Sequence, residues 1–250
     1  MKIKWNISQL LLISFLFFSF FATSEEKEEK INVIWVTDTW QNYTNRDGTG
    51  LYHELFETIF QHSPYNIQVK YLPWKRALRE IETKQANISG ALPNNEKYLF
   101  ADVPILTEPI SILLQKTETD LTLQKISNLV GVWPQRYEEE ILLPSILPYI
   151  NGVSADFREN AIHLLKVKKV DYYLDIRTML ETQLASWPEA EQKKYYIQDL
   201  ATSKLFLVFS DDPKGKALKR YYDTKTQALL DQNILQKIYQ KYQLNFSLSE

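Results

Sequence analysis

YLPWKRALREIETKQANISGALPNNEKYLFADVP, residues 71–104, decides the fold. Tyr71 and Leu72 close a β-rich run that starts at Tyr65. Pro73 suits the first turn of a helix, where its missing N–H costs nothing. Trp74, Ala77, Leu78 and Ile81 then recur at helical spacing and make one apolar stripe. Lys84 to Asn87 reads as a polar turn, Ile88 to Leu92 as an apolar strand, and Pro93 to Lys97 as a polar loop before Phe100 to Pro104.

The same alternation extends upstream. Ile31 to Val36 is a β-rich apolar run ended by Thr37-Asp38 and a loop with Asn42, Asn45, Asp47 and two glycines. After Gly50, Leu51, Leu55 and Ile59 share one helical stripe and Tyr52, Phe56 and Phe60 the next, so a broad apolar face is expected to cover a sheet. Strand, helix, strand, helix, strand implies a mostly parallel sheet with helices on its faces, and ligands then sit at the carboxyl ends of the strands.

Downstream, Ser111 to Gln115 is expected to cross into a second unit. There Leu129 to Trp133 and Val170 to Leu174 read as strands, and Ala161 to Leu165 and Thr178 to Ala185 as helices. Leu205 to Phe209 reads as a return strand. The tail carries Leu218, Tyr221, Tyr222, Ala228, Leu229, Leu230, Ile234, Leu235, Ile238 and Tyr239 at helical periods, which predicts two core-facing helices. Ile81 to Asn87 is echoed by Leu165 to Asp171, with Lys84 matched by Lys168 and Asn87 by Asp171. Both stretches turn a helix into a strand.

The first residues bear on location. Lys2 and Lys4 precede an uncharged apolar run from Leu10 to Phe21, followed by small residues Ala22-Thr23-Ser24. That is the pattern of a secretory signal peptide over residues 1–24. A run of about a dozen residues is shorter than the roughly 20 that span hydrocarbon. Removing Lys2 and Lys4 from 29 basic residues, against 31 acidic, leaves a net charge of −4. Phosphate binding relies on clustered Lys and Arg, so no nucleic-acid partner is expected. With no Cys in the chain, disulfides, thiolate metal sites and lipidation are excluded. EEKEEK, residues 25–30, reads as a solvated tether.

In layout these segments resemble extracellular solute-binding proteins of family three, which serve ABC importers. The resemblance rests on Pro73-Trp74-Lys75-Arg76-Ala77, the turn from Lys84 to Asn87, the strand from Ile88 to Leu92, Glu96-Lys97, Phe100 to Pro104, and the helical tail. It covers nearly the whole chain after residue 30. It implies a two-lobed α/β periplasmic binding protein of the type II kind, each lobe a mostly parallel sheet flanked by helices, joined by two crossover strands. The expected boundaries are 31–112 for lobe one, 113–204 for lobe two, and 205–250 returning to lobe one. The family's turns carry Gly-x-x-Asp. Here Lys84 and Lys168 replace both glycines, at a cost of about 1 kcal/mol if φ is positive there.

The resemblance implies a ligand between the lobes, and candidate residues follow from it. Trp40 and Tyr43, after the first strand, suit stacking on a planar or apolar ligand; the alternative is that Trp40 packs beneath its loop. Trp74 is a candidate wall. Arg76 suits a carboxylate, its planar fork being bidentate, while an ion pair with Glu80 one turn on is the competing reading. Ser89 and Gly90 offer backbone groups. Lys97 stands where amino-acid binders of the family have a carboxylate-binding Arg, keeping the charge and losing the fork, or else is a solvated loop residue.

In the second lobe, Trp133, Arg136 and Tyr137 fall where the family has a Gly-Thr loop opening a helix. Asp175 matches the family acid that takes a ligand ammonium, with Tyr173 on the same wall; its alternative is an N-cap for a helix starting at Ile176.

Catalysis has little support. His53, His62 and His163 have no metal-ligand spacing, and no nucleophile elbow, P-loop or dinucleotide fingerprint occurs. An acid pair such as Glu108 with Asp175 is the nearest thing to a catalytic constellation. The expected function is capture of a small polar or charged solute, amino-acid-like or a small carboxylate, by hinge closure, with no cofactor or metal. The expected partner is an ABC permease, the setting periplasmic, and the state monomeric. The alternatives are a sensory partner of a membrane receptor and, further off, a dehydratase-like enzyme on the same fold.

Overall fold

The computed structural model describes residues 30–116 and 121–244; the expected signal segment, 1–24, and nearly all of the tether lie outside the described residues. Among the described residues no helix is long and apolar enough to cross a membrane.

The first lobe is built around β1 (Ile31–Thr37). It pairs in parallel with β2 (Tyr65–Tyr71) in unbroken register, from Ile31 opposite Tyr65 to Thr37 opposite Tyr71. On its other side β1 runs parallel to β3 (Ile88–Leu92) through Trp35 opposite Ile88. α1 (Leu51–Phe60) buries Leu51, Tyr52, Leu55, Phe56, Ile59 and Phe60, the two stripes expected from its spacing. Such side chains contribute about 1.5–3 kcal/mol each when fully buried. Gly50 is required ahead of this helix: its φ is 116°, and a Cβ there would stand 2.6 Å from the Tyr43 carbonyl oxygen. α2 (Trp74–Glu82) buries Ala77, Leu78 and Ile81.

The second lobe holds β6 (Gly131–Pro134) in parallel between β7 (Gly152–Ala155) and β8 (Tyr172–Ile176). α5 (Arg158–Lys166) and α6 (Arg177–Ala185) flank it. Short helices at Leu123–Ile126 (α3), Tyr137–Glu140 (α4) and Glu189–Gln192 (α7) are too brief for periodicity to reveal.

β5 (Leu106–Gln115) and β9 (Tyr195–Phe209) join the lobes. They pair antiparallel from Leu106 opposite Leu205 to Gln115 opposite Tyr195, with a register shift between Ile110 and Ser111. β5 continues against β8, and β9 against β3 and β4 (Leu99–Phe100). The strand order is therefore β2-β1-β3-β9-β5-β8-β6-β7, parallel in its outer parts and antiparallel in the middle. β9 starts at Tyr195, well before the apolar run at Leu205; its first ten residues, YYIQDLATSK, interleave apolar and polar side chains that are mostly half-buried, so they form no continuous apolar run.

The chain ends in α8 (Pro213–Asp231) and α9 (Ile234–Lys241). Leu218, Tyr222, Leu229, Leu235, Ile238 and Tyr239 join the apolar cluster of β1 and α1. Asp212 caps α8 by accepting from the Gly215 N–H at 2.7 Å.

The repeated turns match in geometry. Lys84 has φ 60° and Lys168 φ 58°. Asn87 donates its N–H to the Ile34 carbonyl and accepts from the Ile34 N–H at 3.0 Å; Asp171 does the same with Val130, accepting at 2.8 Å.

Candidate functional site

A cavity of about 450 Å³ opens between the lobes at the carboxyl ends of their strands. Asp38, after β1, and Pro73 and Trp74, at the start of α2, form its first-lobe side. Pro134, Phe157, Arg158 and Tyr173 form its second-lobe side. A smaller cavity of about 30 Å³, walled by Trp40, Gly90 and Tyr137, shares Asp38, Trp74, Arg158 and Met179 with it. Phe157 is 54% exposed, an apolar ring left at the mouth.

Beneath the cavity lies a buried carboxylate. Asp175, at the end of β8, has no exposed surface. Its Oδ1 accepts from the Ile176 N–H at 2.8 Å and the Tyr137 hydroxyl at 2.6 Å; its Oδ2 accepts from Arg158 Nε at 2.9 Å and from the Tyr173 hydroxyl. The guanidinium continues outward: Arg158 Nη1 donates to Asp38 Oδ2 at 2.8 Å and Nη2 to the Tyr137 oxygen at 3.1 Å. Burial works against the charged Arg158, yet Asp175 and its neighbours hold the guanidinium well above its ordinary value. Burial and the adjacent Asp175 push both Tyr137 and Tyr173 far up, so both stay protonated donors.

A second polar cluster also crosses between lobes. The Glu140 side chain, fully enclosed, accepts from Lys97 Nζ at 2.6 Å, Arg136 Nη2 at 2.6 Å, the Tyr98 hydroxyl at 2.9 Å and Asn95 Nδ2 at 3.0 Å. Arg136 Nη2 reaches on to Glu82 Oε1, at the end of α2, at 2.5 Å. Burial opposes it, but these donors keep the Glu140 carboxyl below its ordinary range.

Of the residues expected at a site, the structure brings Trp40, Trp74, Gly90, Tyr137, Tyr173 and Asp175 together at or just beneath the two cavities. Asp175 does not cap α6; it accepts from the Ile176 N–H, one residue before the helix. The others lie apart. Tyr43 is interior, stacked on Trp40 at 4.0 Å and donating to Glu108 at 3.3 Å. That leaves Glu108 with a tyrosine, not with Asp175. Arg76 is exposed on the outer side of α2, and Glu80 pairs with Lys70 at 2.6 Å instead. Trp133 is core, its indole N–H on Glu138 at 2.8 Å. Ser89 is fully buried, its hydroxyl without a hydrogen-bond partner. Lys97 and Arg136 belong to the Glu140 cluster. Arg158 and Asp38 had no signal as a pair, being separated by 120 positions in sequence.

No protein-family model matches the chain, and no curated protein matches it significantly. Solved structures do. An ancestral arginine-binding protein bound to arginine aligns with a TM-score of 0.70 at 13% identity, over 86% of this chain and 99% of its own. A chain from the glutathione-import system of Streptococcus mutans, GshT with the cystine ABC importer TcyBC, aligns with a TM-score of 0.69 at 16% identity, over 88% of this chain and 98% of its own. The fold is that of a two-lobed periplasmic binding protein. An ABC uptake transporter's substrate-binding protein from Streptococcus pneumoniae, with bound histidine, aligns with a TM-score of 0.67 at 16% identity, over 84% and 92%. In that binding-protein fold the cavity and both polar clusters lie where the two lobes face each other.

Proposed function

We propose that this chain is an exported solute-binding protein that captures a small polar or charged solute between its lobes and presents it to an ABC importer. The observation that carries the reading is the cavity at the facing strand ends. Its volume lies within the roughly 300–1,000 Å³ usual for small-molecule sites. Its walls mix the apolar faces of Trp74, Phe157 and Met179 with the polar ends of Gln135, Thr182 and Gln183. The three binding proteins described above support the same reading. The proposed setting is the periplasm, reached through the signal segment, with residues 31–112 and 205–250 as one lobe and 113–204 as the other.

Solute would bind one lobe and shift the population toward a form in which both lobes contribute contacts. The test is a thermal-shift screen of residues 25–250, refolded to strip carried-over solute, against amino acids, small carboxylates, amines and short peptides. A hundredfold excess over Kd adds about 2.7 kcal/mol, or roughly 5–10 °C at this size. A selective shift of that order is expected. A flat panel over a cooperatively unfolding protein overturns solute capture from these classes.

A further inference from the structure

The cation position on Asp175 is already filled by the chain itself. A carboxylate offers about four lone-pair sites, and all four are taken by Ile176, Tyr137, Tyr173 and Arg158. Arg158 comes from the first turn of α5, in the same lobe as Asp175. Holding it there therefore carries none of the translational cost that a free ligand meets. Its planar fork spends one edge on Asp175 and Tyr137 and reaches with Nη1 to Asp38 of the other lobe. The guanidinium thus stands between the buried acid and the 450 Å³ cavity, lining the cavity while Asp175 does not.

We propose that Arg158 is a resident occupant of the cleft: its guanidinium fills the cation position on Asp175, refuses that acid to the ammonium of a solute, and latches the lobes through Asp38. This deepens the reading of the cleft as the solute site and rests on it. Solute then meets the space above Arg158, between Trp74 and Phe157, and gains no anchor from Asp175. Arg158 sets specificity by exclusion, because an ammonium entering deeper would have to displace a group tethered beside its own partner. The latch also raises the closed population of the solute-free chain, which solute then raises further.

The experiment uses small cations as probes and needs no identified solute. Residues 25–250, wild type and Arg158→Ala, are melted in rising methylguanidinium or ethylammonium against matched sodium chloride. The wild type is expected to show no saturable shift. Arg158→Ala is expected to melt lower and to regain stability saturably, by about 5–10 °C at a hundredfold excess over Kd. Adding Asp175→Asn is expected to abolish the rescue.

A wild type stabilised saturably by either cation, with the effect lost in Asp175→Asn, overturns the proposal, as does an Arg158→Ala protein that folds and ignores both. Should Arg158→Ala not fold, small-angle scattering of solute-free wild type and Asp38→Asn decides: the wild type is expected compact and the variant expanded. Equal profiles, compact or expanded, overturn the latch. None of these readouts depends on the solute panel, so a flat panel and a failed latch are separable results.

Discussion

Two clusters of the same ingredients, an arginine, carboxylates and tyrosine hydroxyls, bridge the lobes in different surroundings. Around Arg158 the central acid, Asp175, and both tyrosines are buried, and only Asp38 and the guanidinium see some water. Around Arg136 the central acid, Glu140, is enclosed and Arg136 itself is 14% exposed, but the outer members face out: the Lys97 side chain is 42% exposed and Glu82, which pairs with Arg136, 35%. Charge count alone would rank the second cluster stronger, since Lys97 adds a second cation. Dielectric reverses the ranking. Removing one partner of a buried pair strands a charge, while exposed pairs are screened by salt and held by mobile side chains.

The comparison is broken most directly at Arg158. Arg158→Leu leaves Asp175 without its cation and is expected to cost about 3–5 kcal/mol in denaturant unfolding, with little dependence on salt. Asp175→Asn added to it is expected to recover part of that loss, since the two residues are in contact and their effects do not add. A loss below about 1 kcal/mol would place the two clusters on the same footing.

A third buried acid sharpens the point by having no cation in contact. Glu108 is 4% exposed and is met by the Tyr43 hydroxyl at 3.3 Å, with Arg177 acting only from further off. Burial first, with Glu181 and Asp199 nearby adding to it, pushes its carboxyl up to about 7 from an ordinary 4.5. The unfolded chain then loses this proton at lower pH than the folded one. Glu108 therefore contributes stability in full below about pH 4.5, and that contribution is lost as pH rises to about 7. Glu108→Gln is expected to raise stability at pH 8 by about 2–3 kcal/mol and to flatten this stretch of the pH profile. Stability independent of pH across that window in the wild type would contradict it.

These contrasts also mark what the sequence could reveal. Period and turn residues were enough for β1, β2, β3, α1, α2 and the terminal helices, because each has one face that must be buried. Asp175, Tyr137 and Tyr173 came from the resemblance to the solute-binding family, not from period or turn residues. A planar fork singled out Arg76 and nothing singled out Arg158, although α2 turns Ala77, Leu78 and Ile81 inward and so sends Arg76 out to solvent. Arg158 follows β7 and an exposed Phe157, and its spacing of three, four and seven residues from Ala161, Ile162 and Leu165 marks an inward face of α5 without naming a partner. Its meaning lies in Asp38, which only the joining of the lobes by β5 and β9 brings near.

At the weaker cluster, Lys97→Ala leaves Glu140 with Arg136, Tyr98 and Asn95, so the expected loss is below about 1 kcal/mol and shrinks further in high salt. A salt-insensitive loss matching that of Arg158→Leu would show that enclosure of the shared acid outweighs exposure of its partners.

The smallest effect compares the lobes through their repeated turns. Lys84 and Lys168 hold φ 60° and 58°, where a side chain costs about 1–2 kcal/mol that glycine does not. Glycine also loosens the unfolded chain, which offsets about 0.4–1 kcal/mol of the gain. Lys84→Gly and Lys168→Gly are each expected to stabilise by roughly 0.5–1 kcal/mol in denaturant melts. Because Asn87 and Asp171 tie the two turns to β1 and Val130 in the same way, both substitutions should have the same sign. Opposite signs would mean that one lysine makes a contact in its own lobe strong enough to outweigh the strain.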